Sequence, residues 1–131
     1  MNLKTLCFTF LIILGVTLCG CHKTTYRLSE GTYSAHKSAA DFVEPFITFD
    51  LAEDRFIFSY DPLSSYLPTG TIRIADGKVT ATTDDEEYTY VFALKDNDTI
   101  AFIQKDSSAI TMTQGEPSVV DGTEFKFSGG K

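Results

Sequence analysis

An all-β fold is what this sequence predicts: an antiparallel meander of about seven or eight strands closing into a small lipocalin-like barrel, with a β-sandwich as the alternative. Three observations carry that expectation. Apolar residues recur with period two in run after run from residue 46 onward. The runs follow one another at about eight to twelve residues, separated by short polar turns. No segment in between shows the 3.6-residue period of an amphipathic helix.

Taken in order, Glu30-Gly31-Thr32-Tyr33 opens the folded part as a first strand, while AHKSAADFVEP (35–45) has no clean period and reads as a loop or one helical turn. In FITFDL, Ile47, Phe49 and Leu51 fall on one face. In RFIFSY, Phe56, Phe58 and Tyr60 do the same. TIRIADGKVTATT places Ile72 and Ile74, then Val79 and Ala81, on either side of Asp76-Gly77. An Asp-Gly pair between alternating runs is a hairpin signal, because both central residues of a type I′ turn need positive φ. YTYVFAL sets Tyr88, Tyr90, Phe92 and Leu94 on one face, and TIAFIQ follows a turn of Asp96-Asn97-Asp98. AITM and EFKF are weaker final strands. One apolar face per strand means each is half buried, and closing the sheet removes its exposed edges.

One connection breaks the pattern of short acidic turns. SYDPLSSYLPTG (59–70) carries Leu63, Tyr66 and Leu67 with Ser64 and Ser65 between Pro62 and Pro68. Each proline fixes its own φ and restricts the residue before it, so the loop is expected to be stiff. Apolar side chains on a stiff loop either fold back to plug a barrel end, the commoner arrangement, or stand out as a binding lip. Leu63, Ser64, Ser65, Tyr66 and Leu67 are the candidate binding residues. The serines have no histidine at recognisable spacing and no G-x-S-x-G around them, so their expected role is to hydrogen-bond turn backbone.

The chain of 131 residues suits one β domain, residues 30–131, and its 13% aromatic content, all Phe and Tyr, is enough for a substantial core. Its amino end reads differently. Lys4 precedes an apolar run from Leu6 to Leu18 that is too short for a membrane span and is interrupted by Thr9, Gly15 and Thr17. Leu18-Cys19-Gly20-Cys21 then resembles the lipobox of bacterial lipoproteins. That resemblance implies cleavage after Gly20, a diacylglyceryl group on Cys21 and a short tether through residue 29. Cys19 fits poorly as the target because bulky Leu18 would precede it. Two acyl chains are what stable anchoring requires. Cys7 and Cys19 would leave with the leader and Cys21 would be capped, so none of the three cysteines would remain for a disulfide, a zinc site or a nucleophile.

The formal net charge of −7, more negative still once Lys4 is removed, argues against nucleic acid and against adsorption to anionic lipid. The expected membrane contact is the lipid on Cys21 alone, at the extracytoplasmic face. His22 and His36 cannot supply the three or four convergent ligands of a metal site. The acidic turns Asp84-Asp85-Glu86-Glu87 and Asp96/Asp98 lack calcium-loop spacing and belong at opposite barrel ends. No cofactor, no metal and no catalytic apparatus is expected.

The run from RFIFSYDPLSSYLPTG to the Tyr/Phe strand and TIAFI resembles a domain of small lipoproteins from clostridia-like Gram-positive bacteria, and the extracellular tail of BlaR-type membrane regulators. The likeness covers about residues 46–105 and rests most on L-S-S-Y; the rest is generic β pattern. The peptidase half of those regulators, with its H-E-x-x-H, is absent. What the resemblance implies is an extracellular sensing or binding module of the cell envelope. Two expectations follow: a module that contacts an envelope protein through the 61–68 loop or an edge strand, or a barrel that holds a small or amphipathic ligand.

Overall fold

The computed structural model of the chain describes residues 24–35 and 44–130. Cys21 and everything before it, His22, and His36 with most of the 35–45 segment lie outside these residues. Eight antiparallel strands form a closed up-and-down barrel in sequence order: β1 (Gly31–Ser34), β2 (Phe46–Asp50), β3 (Arg55–Ser59), β4 (Thr69–Ala75), β5 (Lys78–Thr83), β6 (Thr89–Leu94), β7 (Thr99–Phe102) and β8 (Glu124–Gly129). The meander and its closure are as the alternation predicts, and the sandwich alternative does not form. Among the described residues no helix is long and apolar enough to cross a membrane.

Register follows from which face each apolar residue must bury, because a one-residue slip would turn every side chain over. Ile47, Phe49, Phe56, Phe58, Val79, Ala81, Tyr90, Phe92, Ile100 and Phe125 all point inward and are almost fully buried. Pairings such as Ile47↔Phe58, Phe49↔Phe56 and Val79↔Phe92 stack them in layers. Phe58 sits among four rings, with centroids 5.2 Å from Tyr60 and Tyr90, 5.6 Å from Phe92 and 6.0 Å from Phe125, all edge-on. Edge-to-face contact suits the ring quadrupole. The middle of the barrel is therefore packed with aromatic side chains.

The seam is closed by β1 against β8, where Tyr33 lies opposite Phe127 with ring centroids 5.3 Å apart. A register irregularity at Thr32/Tyr33 brings the two backbones close at Gly31, which has φ +131°. A side chain there would overlap the Gly129 carbonyl oxygen, so glycine is required. Asp76 and Gly77, at φ 53° and 71°, make the β4–β5 turn the sequence predicts.

Three strand expectations need correction. Ile72 is buried but Ile74 is exposed, because the β4–β5 hairpin runs past the end of β3, whose last partner pair is Arg55↔Thr71. Tyr88 is exposed and precedes β6, because Glu86 at φ 62° turns the chain before the strand begins. AITM is not a strand. The chain from 103 to 123 is irregular apart from a 3-10 turn at Gln104–Asp106, and it completes β6 partly with backbone, Ile103 and Ser108 N–H donating to the Val91 and Thr89 carbonyls, and partly with side chains. Beyond the end of β7, the Ser107 and Ser108 hydroxyls accept the Val91 and Thr89 N–H groups, each at 2.9 Å. Serine oxygens thus stand where a strand's carbonyls would, and the buried β6 donors are satisfied.

A meander places alternate connections at opposite ends. The base carries the turns 51–54, 76–77 and 95–98, and the mouth carries 60–68, 84–88 and 103–123. Part of the segment read as a tether also belongs to the base. Leu28 joins the core, Arg27 N–H donates to Asn97 Oδ1 at 3.2 Å, and Ser29 N–H donates to the Tyr33 hydroxyl at 2.9 Å.

Candidate functional site at the barrel mouth

The β3–β4 loop begins where Tyr60 still points inward, its ring 6.0 Å from that of Tyr90. Burial first, then the neighbouring Tyr60 hydroxyl, pushes the Tyr90 phenol well above its ordinary range, so it stays neutral. The next residue organises the loop. Asp61 is buried, and its Oδ2 accepts both the N–H and the hydroxyl of Thr113 at 2.6 Å each. Its Oδ1 accepts Leu63 N–H at 3.0 Å, and its carbonyl oxygen accepts Ser64 N–H at 3.2 Å. The Thr113 hydroxyl is the foremost cause holding this carboxyl below the usual carboxylate value, followed by the Thr113 N–H. One aspartate thus shapes the loop and straps it to the 103–123 segment.

Ser64 continues the arrangement, its Oγ accepting Tyr66 N–H at 3.0 Å, the turn-forming role expected of it. Pro68 is fully buried, and its carbonyl accepts Phe58 N–H at 2.9 Å where the chain re-enters the sheet. With both ends and the middle fixed, the apolar side chains turn outward: Leu63 is 63% exposed, and Tyr66 and Leu67 are each 46% exposed. Ser65 is exposed as well. The loop does not plug the barrel. Val119, Ile110 and Tyr60 pack onto the core in that region, and Ser118 Oγ donates to the Tyr60 carbonyl at 3.0 Å.

The β5–β6 turn makes a second wall. The Thr83 hydroxyl donates to Asp85 Oδ1 and accepts Tyr88 N–H at 3.1 Å, while Glu87 N–H donates to the same Asp85 oxygen at 3.1 Å. Asp84 turns away to make a two-pronged ion pair with the Arg55 guanidinium. This geometry stands Tyr88 beside Tyr66, ring centroids 6.2 Å apart. Between the loop, the turn and residues 109–113 lies a pocket of about 310 Å³, lined by Tyr60, Asp61, Ser64, Tyr66, Tyr88 and Met112 among others, with no lysine or arginine among the described residues.

Of the five candidate residues, Ser64 and Tyr66 line this pocket, while Leu63, Ser65 and Leu67 stand on the exposed loop around it. Asp61, Tyr88 and Thr113 were not among the candidates. Asp61 had a signal, since an Asp before Pro begins turns. Its bond to Thr113 spans 52 positions and had none. A larger recess of about 440 Å³ lies over β1–β4. There Thr32 and Thr48 hydrogen-bond to each other at 2.8 Å, as on any outward strand face. Among the described residues no three of His, Cys, Asp or Glu are grouped to hold a metal ion.

Fold and site together define a small closed β-barrel with a packed centre and one built-up, aromatic end. No family model, curated protein or solved structure matches the chain.

Proposed function

We propose that this is an extracytoplasmic lipoprotein, anchored through Cys21, whose barrel mouth is the contact surface for another protein of the cell envelope. The observation that carries the reading is the 61–68 loop. It exposes Leu63, Tyr66 and Leu67 on a backbone fixed by Asp61, Ser64 and Pro68, so a partner would meet apolar surface already held in place. Exposed apolar side chains on a pre-ordered loop limit the entropy lost on association. The resemblance of residues 46–105 to regulator tails points the same way.

The anchor gives this surface a direction. Leu28 packs at the base, and residues 22–27 can span at most about 20 Å when fully extended. A lipid on Cys21 would therefore hold the base toward the membrane and turn the mouth outward. The test uses the lipidated protein in its own envelope with a photo-crosslinking residue at position 66, and at position 76 on the base as control. Adducts at 66 that Leu67→Ser weakens, with none at 76, support the reading, and equal labelling at both ends defeats it. Cys21→Ala tests the anchor separately: an unprocessed or shed protein is expected, and membrane retention in a cleaved form would refute lipidation.

A second reading, a small ligand, is favoured by the mouth pocket rather than by the barrel interior. A ligand on the barrel axis would have to displace Phe58 from four rings. Native mass spectrometry of residues 22–131 separates the two readings, since a stoichiometric added mass favours the ligand.

A further inference from the structure

The mouth pocket has a chemical character of its own. Three tyrosines, Tyr60, Tyr66 and Tyr88, line it, and the Tyr66 and Tyr88 rings are inclined at 60° across 6.2 Å. The charge around them is of one sign. Asp61 lines the wall and Asp85, Glu86 and Glu87 form the adjoining turn. Arg55, whose guanidinium pairs with Asp84 of that turn, does not line the pocket, and among the described residues no cationic side chain does. Burial first, then the Asp85 charge, with smaller contributions from Tyr60, Tyr88 and Glu87, raises the Tyr66 phenol above its ordinary value. Among the described residues the charge bordering the pocket is therefore negative.

We propose that this pocket receives a positively charged side chain, arginine or lysine, from the envelope partner, seated against the Tyr66–Tyr88 ring pair and facing the carboxylates of the 84–88 turn. This rests on the reading of the mouth as a contact surface and supplies the chemistry that surface selects. A guanidinium or ammonium over an aromatic face is attracted by the ring quadrupole, and nearby carboxylates add long-range attraction that steers the encounter. Leu63 and Leu67 flank the site as apolar rim. A neutral or anionic side chain would gain neither term.

The experiment is a titration of residues 22–131 followed by NMR of the tyrosine rings, with N-acetyl-arginine amide as probe and N-acetyl-citrulline amide as its neutral counterpart. Tetramethylammonium and a short arginine-containing peptide are further arms. Arginine amide is expected to shift the Tyr66 and Tyr88 resonances at millimolar concentration, about five-fold more tightly than citrulline amide. Tyr66→Phe keeps the ring and should retain that preference, whereas Tyr66→Leu should abolish it. Unchanged signals from Tyr33, far from the mouth, confirm that each variant is folded.

Equal response to arginine and citrulline amides, or none to either, overturns the proposal. If position 66 still crosslinks an envelope protein and that adduct resists competing arginine amide, the contact surface stands and the cation pocket falls. If tetramethylammonium binds as tightly as the arginine peptide, the pocket selects a small free cation and the side-chain proposal falls. Tighter binding of the peptide, with an adduct that arginine amide competes away, supports it.

Discussion

The two ends of the barrel are built by different means. At the base, turns such as Asp76-Gly77 reverse the chain within the strand register, and one apolar residue from the amino-terminal segment, Leu28, joins the core there. At the mouth, long connections are fixed by side chains acting on backbone: Asp61 on Thr113, Ser64 on Tyr66, Ser107 and Ser108 on β6, Asp85 on Glu87. The base turns are short, and the amino-terminal segment joins them through Leu28 and the Arg27 N–H bond to Asn97. The longer loops at the other end combine local turns with bonds between distant residues such as Asp61 and Thr113, and the loop so held leaves Leu63, Tyr66 and Leu67 facing solvent. An end designed only for closure would resemble the base.

The comparison sharpens first at the core beneath the mouth. Phe58→Ala removes the ring that joins Tyr60 and Tyr90 to Phe92 and Phe125, and is expected to cost about 3–5 kcal/mol, the range for buried Phe→Ala changes. A lower urea midpoint at unchanged slope is the readout, and a loss below about 1 kcal/mol would mean the rings are not close-packed. Gly70→Ala comes next. A Cβ there would overlap the Thr82 carbonyl oxygen and lie 2.7 Å from Thr83 Cα, so the strand backbone must shift, at about 1–3 kcal/mol. Gly77→Ala at the base has open space around it and suffers only the left-handed backbone, about 1 kcal/mol. Should Gly77→Ala cost more than Gly70→Ala, the contrast between close approach and turn conformation is wrong.

Acid should act on the mouth through the strap. Asp61, Asp84 and Asp85 all titrate below their ordinary value of 3.8, through Thr113, Arg55 and Thr83 respectively. A carboxyl whose folded pKa is depressed stabilises the fold fully above its unfolded value and loses that contribution as pH falls through the folded one. Below about pH 4, amide exchange at Leu63, Thr113 and Glu87 is therefore expected to accelerate before exchange in β2 or β5. Asp61→Asn should raise exchange at Leu63 and Thr113 already at neutral pH and flatten its acid dependence there. Unaltered exchange at Thr113 would show that the loop and the 103–123 segment are not strapped together.

Much of the barrel was legible because its physics is local. Period-two burial in FITFDL, RFIFSY and YVFAL marks strands whatever their partners, and Asp76-Gly77 marks its hairpin by backbone conformation alone. The candidate loop was legible as an exception to that pattern. Its outward set was not, because the direction of Leu63 depends on Asp61 meeting Thr113 across the fold. AITM reads as a strand for a related reason: period two is necessary for a strand, but β6 already has its edge satisfied by Ser107 and Ser108, leaving those residues no ladder to join. Tyr88 has the right spacing for the interior and is turned out by Glu86 two positions before it.

The smallest expected effect is the one that separates a lip from a plug. Leu63→Ser exchanges an exposed apolar side chain for a polar one without touching the Leu63 N–H bond to Asp61. Stability should change by no more than about 0.5 kcal/mol, as for surface positions away from special features. A residue that packed into the barrel would lose its transfer free energy instead, about 2 kcal/mol or more for a buried leucine. The same substitution should reduce crosslinking from position 66, because the apolar rim is then broken. A variant as stable as the parent but poorer in contact would tie Leu63 to recognition. A variant that unfolds more readily would place the side chain inside, and the difference between the two barrel ends would then be one of loop length only.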